Sequence, residues 1–161
     1  MKRLIFMRHG KSSWEHDVVD SKRPLKSRGE IDAKNVSIKF KSLNISIDAI
    51  YSSPANRALS TAHIFADIMD VNTQDINIEN DLYDFSGYMV KSVINTFPNS
   101  ANHIIIFGHN HAFTSLVNLF GDRYIDNLPT CGLAVVYFEE NDWSEISHGI
   151  TELILIPKDL R

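Results

Sequence analysis

The chain has a single cysteine, Cys131, so no internal disulfide can form. It has no apolar run near the roughly 20 residues that a membrane-spanning helix needs. Its start passes from Met1-Lys2-Arg3 into a short apolar run without the longer hydrophobic core of a secretory signal, and a reduced, cytoplasmic location is expected. With seven glycines, five prolines and no repeat, low-complexity tract or linker, nothing marks an internal boundary, and one domain over residues 1–161 is expected. A chain of that length buries about 68–70% of the surface its unfolded form exposes, so no metal is needed to hold it together. Its net charge of −4 gives no support for general nucleic-acid binding. The charge is uneven, however. Residues 1–30 hold eight Lys and Arg against four Asp and Glu, a surplus of +4 that leaves −8 for residues 31–161.

That basic part contains the most informative stretch, Leu4-Ile5-Phe6-Met7-Arg8-His9-Gly10. Four consecutive apolar residues bounded by polar ones suit a strand buried on both faces of a parallel sheet. Open α/β sheets bind ligands beyond the carboxyl ends of their strands, where Arg8 and His9 would stand, with Gly10 letting the backbone pass close to a bound group. A neutral imidazole is a competent nucleophile, and a guanidinium offers forked donors that match phosphate oxygens. The pair suggests phosphoryl transfer.

Farther along, Lys22-Arg23-Pro24 reads as loop, and Ser27 with Glu30 three residues later reads as a capping box opening a helix toward Asn44. A second strand is expected over residues 47–52, then a helix with Pro54 in its first turn and Ala58, Thr61, Ala62, Phe65 and Met69 on its apolar face. A short strand at residues 76–78 and a helix over residues 89–97, ended by Pro98, follow. His103 to Phe107 reads as a strand leading into Gly108-His109-Asn110-His111, then a helix to Phe120. Residues 133–138 and 143–156 read as a terminal β-hairpin turning at Asn141-Asp142. The pattern gives an α/β class with a mostly parallel sheet and an antiparallel C-terminal addition.

Three strands thus end in related chemistry: Arg8-His9-Gly10, Ser52-Ser53-Pro54 with Arg57 a helical turn later, and Gly108-His109. If they are neighbours, two arginines and two histidines meet in one crevice. His109-Asn110-His111 could suggest metal ligands, but no carboxylate or cysteine is spaced to complete a set, and the arginines would repel a cation. His63 reads as a packing or surface histidine, Trp14 and Trp143 as core or pocket-wall residues, and Cys131 as a small buried side chain.

Arg8-His9-Gly10, residues Ser52 to Ala62 and Gly108-His109-Asn110 resemble the three signature blocks of the histidine phosphatase superfamily, which includes cofactor-dependent phosphoglycerate mutases and acid phosphatases. Arg23-Pro24-Leu25 with Arg28-Gly29, Leu128-Pro129-Thr130 and Pro157-Lys158-Asp159-Leu160 are similar to its SixA phosphohistidine phosphatase branch. The resemblance implies a three-layer α/β/α sandwich of the phosphoglycerate mutase type. It also implies a metal-independent and cofactor-free phosphatase in which His9 is transiently phosphorylated. Arg8 and Arg57 would hold the phosphoryl oxygens, His109 would donate to them, and Ser12 could add a donor. Superfamily members usually carry an acid between the second and third blocks, which points to Asp84 as general acid. The implied partner is a phosphohistidine-bearing protein such as a phosphotransfer domain. A small phosphorylated metabolite and a non-catalytic phosphate-binding module remain as alternatives, and the short loops, leaving little chain for a lid, disfavour a mutase.

Overall fold

The computed structural model describes residues 1–161. Six strands, β1 (Lys2–Arg8), β2 (Ala49–Ser52), β3 (Ile76–Ile78), β4 (His103–Gly108), β5 (Leu133–Phe138) and β6 (Ile150–Leu155), form one sheet in the order β3-β2-β4-β1-β5-β6. The pairs β3–β2, β2–β4 and β4–β1 are parallel, whereas β5 runs antiparallel to both β1 and β6.

Alternation along the strands builds the two cores. Ile5 and Met7, Ile105 and Phe107, and Leu133 and Val135 face helices α1 (Ser27–Ser42) and α2 (Asn56–Ile68). Leu4 and Phe6, Ile104 and Ile106, and Ala134 and Val136 face α3 (Tyr88–Asn95) and α4 (Ala112–Phe120). Because successive side chains of a strand point to opposite faces, β1, β4 and β5 must be apolar throughout. The result is the expected three-layer α/β/α sandwich.

Two local expectations shift. Ser27 does not cap α1. It is the first helical residue, and Lys26 before it is extended and caps without a side-chain hydrogen bond. The reason lies in tertiary pairing: Lys26 N–H donates to Lys11 C=O at 2.8 Å and Ser13 N–H to Pro24 C=O at 2.8 Å, so residues 11–13 and 24–26 form a short antiparallel ribbon that holds Lys26 extended. Pro54 likewise precedes α2 rather than lying in its first turn.

The C-terminal addition is also narrower than residues 143–156. Trp143–Glu145 form a 3-10 turn and pairing begins only at Ile150. Trp143 is drawn out of strand geometry by burial against Phe97, with its indole N–H donating to Ala101 C=O at 2.8 Å.

Candidate active site

β2, β4 and β1 are adjacent and parallel, so their carboxyl ends lie side by side. Arg8 pairs with Gly108 in register, His9 N–H donates to Gly108 C=O at 3.1 Å, and Ser53 N–H donates to Phe107 C=O at 3.0 Å. The three polar strand ends are thereby stitched into one rim. Gly10 serves close approach: a Cβ there would meet Gly29 C=O at 3.0 Å and Cys131 Sγ at 3.1 Å. Its N–H donates to Thr61 Oγ1 at 2.9 Å, and the Thr61 hydroxyl donates to Arg57 C=O at 2.7 Å, tying the β1 loop to the first turn of α2.

His9 is 8% exposed. Its Nδ1 lies 2.7 Å from Gly10 C=O. A carbonyl can only accept, so Nδ1 carries the proton and Nε2 of the neutral ring presents its lone pair. That Nε2 faces Arg57 Nε at 3.4 Å. Burial, reinforced by Arg57, Arg8 and Arg23 and opposed by the Gly10 bond, holds the His9 pKa down at about 4. His109, 1% exposed, lies with its ring 5.2 Å from that of His9 and its Nε2 2.8 Å from Ser53 Oγ. Burial first, then His9 and Arg57, lowers its pKa to about 3. Tyr83 and Phe85 each pack against the His109 ring at 5.1 Å.

Arg8 is anchored by donation to Leu128 C=O at 2.9 Å, whereas its Nε, like His109 Nδ1, is buried without a partner. Arg57 is held by Asp20: its two terminal nitrogens donate to Asp20 C=O at 2.8 Å and Asp20 Oδ2 at 3.0 Å. Asp20 also accepts from Arg23 at 3.1 Å and from the Tyr83 hydroxyl. Partial burial works against its ionisation, but the bonds from Tyr83, Arg23 and Arg57 prevail and keep its carboxyl at a pKa of about 2.

Arg8, His9 and Arg57 border a cavity of about 310 Å³ lined by five cationic side chains, Arg8, Lys11, Arg23, Lys26 and Arg57, with His9, Ser12, Trp14 and Thr130, while the buried His109 lies behind His9 and outside that lining. It contains no carboxylate in its lining. A larger cavity of about 500 Å³ lies around Tyr137, Glu139, Glu140 and His148, at the opposite end of the sheet, since Tyr137 pairs with Arg3.

The structure therefore brings together Arg8, His9, Arg57 and His109. Ser12 lines the cavity, and its oxygen accepts from Arg23 at 2.6 Å, which helps to hold that guanidinium and leaves the hydroxyl proton free to donate. Asp84, expected as the general acid, does not line the cavity. Its oxygens accept from the amides of Ser86, Gly87, Met89 and Val90 and from the Ser86 hydroxyl, at 3.0–3.1 Å, so its side chain caps the first turn of α3, whose N-cap residue is Gly87. Burial would raise its pKa, but the Ser86, Val90 and Gly87 bonds outweigh it and lower it, opposite to what a proton donor requires. The residues missed were Asp20, Arg23 as an anchor of the loop, Ser53, Thr61 and Tyr83. Only Arg23-Pro24-Leu25 and the Ser52 to Ala62 block, which holds Ser53 and Thr61, carried a signal for any of them. Trp14 stands in the pocket wall, one of the two places expected for it, 76% exposed and with the Arg23 guanidinium 3.3 Å from its ring centre.

Comparison with known proteins agrees with this geometry. A family model described as the histidine phosphatase superfamily (branch 1) matches residues 4–103. An uncharacterized chloroplastic protein of Arabidopsis thaliana is 28% identical over 153 residues, 89% of this chain and 70% of that one. Among solved structures, the protein histidine phosphatase SixA complexed with tungstate matches with a TM-score of 0.80 at 19% identity over 99% of each chain. Phosphoserine phosphatase from Entamoeba histolytica, in complex with 3-phosphoglyceric acid, matches with a TM-score of 0.63 at 18% identity over 100% of each chain. With the family model covering residues 4–103 and its signature blocks meeting at the adjacent strand ends, where His109 lies beside His9, this chain belongs to the histidine phosphatase superfamily, branch 1.

Proposed function

We propose that the protein is a metal-independent phosphatase that removes the phosphoryl group from phosphohistidine on another protein, through a phosphorylated His9. The observation that carries the reading is the state of His9: Nδ1–H tied to Gly10 C=O, Nε2 unprotonated and turned toward Arg57 at the cavity. Nε2 attacks phosphorus in line while the bond from phosphorus to the substrate's ring nitrogen breaks, and that nitrogen leaves with the electron pair and takes a proton from water. Water then attacks phospho-His9, Nε2 leaves with its pair, and inorganic phosphate departs. Arg57 and the unpartnered Arg8 Nε stabilise the equatorial oxygens as charge develops, and His109 donates to the same oxygens.

The phosphohistidine preference rests on the missing proton donor. Asp84 is spent on a helix cap, Asp20 is ionised, and no carboxyl lines the cavity. An alkoxide leaving group would forgo the roughly 10²–10⁴-fold that general acid catalysis supplies, whereas an imidazole leaving from a phosphoramidate does not depend on it. A second reading, a small phosphoester as substrate, is supported by a cavity large enough for such a ligand and by the phosphoserine phosphatase likeness.

The test compares release of phosphate, with excess chelator, from a phosphohistidine-bearing phosphotransfer domain, an aryl phosphate and an alkyl phosphate. The expected order is phosphohistidine fastest and alkyl ester slowest, all abolished by His9→Ala, with an acid-labile phosphoryl group trapped on His9. Fastest turnover of the alkyl ester would overturn the substrate assignment, and binding without turnover in the native protein would leave a phosphate-binding module.

A further inference from the structure

The cavity holds more positive charge than a single phosphoryl group uses. Arg8 and Arg57 border His9, and the Arg23 guanidinium is committed to Asp20, Ser12 Oγ and Ser13 C=O. Two cations remain, Lys11 and Lys26. Both line the cavity, and neither pairs with any carboxylate.

Their placement follows from the ribbon that displaces the α1 cap. Ser12 bridges Leu25 in antiparallel fashion and Lys26 N–H donates to Lys11 C=O, so Lys11 and Lys26 stand directly opposite each other. Side chains opposite each other in such a pair share a face with their Cβ atoms about 5 Å apart, and like charges so placed repel. An anion between them would turn that repulsion into attraction. The ribbon is also held in place: a Cβ on Gly29 would come within 2.4 Å of Lys11 C=O, so the first turn of α1 lies directly against the Lys11 backbone. The backbones of the two lysines are thus fixed beside the phosphoryl pocket, two and seventeen residues from His9 in sequence but on one cavity wall.

We propose that Lys11 and Lys26 form a second anion subsite that binds a carboxylate flanking the phosphorylated histidine of the protein substrate. The proposal rests on the phosphohistidine reading above. It makes substrate choice depend on local acidity, because the phosphoryl group fills the Arg8–Arg57 end of the cavity while the neighbouring carboxylate sits between the lysines. No group inside the cavity competes for them, since its lining has no acid.

The test uses two histidine peptides phosphorylated with phosphoramidate, one with Asp and Glu flanking the histidine and one with Asn and Gln. Two exposed charge contacts predict an approximately three- to tenfold higher kcat/KM for the acidic peptide at low salt, shrinking toward unity at about 0.5 M salt. The double variant Lys11→Gln, Lys26→Gln should abolish that ratio, chiefly through KM, and far-UV circular dichroism and Tm establish that it is folded. Binding of the same two peptides to His9→Ala reads the subsite independently of turnover. A ratio of one in the native protein, or one that the double variant leaves unchanged, overturns the subsite. Preferential binding of the acidic peptide to His9→Ala without turnover of either peptide by the native protein sustains the subsite and overturns the phosphohistidine phosphatase reading. Turnover of both peptides at equal rates does the reverse.

Discussion

Replacing Asp84 by Ala separates a helix cap from a general acid. The carboxylate accepts four backbone amides and one hydroxyl at the start of α3, and the amides of Gly87 and Val90 are buried. Losing an N-cap costs about 1 kcal/mol, and each buried amide left unsatisfied costs about 1–3 kcal/mol. Some relaxation and water entry at the partly buried amides of Ser86 and Met89 would reduce the sum, so a loss of about 3 kcal/mol is expected. For a chain of 161 residues, at roughly 2–4 °C per kcal/mol, Tm should fall by about 6–12 °C. Asp84→Asn keeps one acceptor oxygen and should lose about half as much. Turnover of an aryl phosphate, measured well below the lowered Tm, should change less than about tenfold, the residual effect coming through Tyr83 and Phe85, which pack on His109 next to the cap. A general acid would behave in the opposite way, losing about 10²–10⁴-fold in kcat with little change in Tm. Urea or thermal unfolding alongside kcat for both variants decides between them. A 100-fold fall in kcat for Asp84→Asn at unchanged Tm would refute the cap assignment.

Four further outcomes follow from the same geometry. With the His9 pKa at about 4, kcat/KM for a substrate that does not itself titrate should hold down to about pH 5 and fall below it, and an acid limb centred near 6.5 would contradict the burial argument. Because both histidines have folded pKa values below the unfolded value, the unfolded chain binds more protons below about pH 6.5, so folding stability should decline from there toward pH 4, by about 3 kcal/mol from His9 alone; His9→Ala should flatten that part of the stability curve. Asp20→Asn should loosen Arg57 and remove a negative charge beside the cavity, lowering kcat about fivefold while strengthening competitive inhibition by inorganic phosphate; weaker phosphate inhibition with unchanged kcat would count against Asp20 as the anchor of Arg57. Gly29→Ala places a Cβ 2.4 Å from Lys11 C=O and should cost about 3 kcal/mol in urea unfolding, whereas a change under about 0.5 kcal/mol would show that the ribbon and α1 separate easily.

The amino-acid sequence by itself determined the class and the centre of the site, because both are written in local signals. Continuous apolar runs at residues 4–7 and 104–107 suit strands buried on both faces, and each is followed two residues later by a histidine, which places His9 and His109 at a common edge once the strands lie parallel. Arg8 follows from its neighbour and Arg57 from its helical offset after β2. The supporting groups depended on long-range contact and had no periodic signal. Asp20 reaches Arg57 across 37 positions and Tyr83 across 63, and Ser53 meets His109 across 56. Which carboxylate serves the arginines and which caps a helix was likewise beyond local reading: Asp84 follows Leu82-Tyr83 as the family pattern suggests, yet only the positive φ of Gly87 and the start of α3 behind it turn four amides onto its oxygens. The start of α1 shows the same limit. Ser27 and Glu30 satisfy a capping box as a pattern, but the backbone of Lys26 is already hydrogen-bonded to Lys11, and tertiary pairing there outweighs a cap worth about 1 kcal/mol. A helix boundary or a carboxylate's role is decided by whichever competing partner is nearest in space, and that ordering exists only once the sheet has formed.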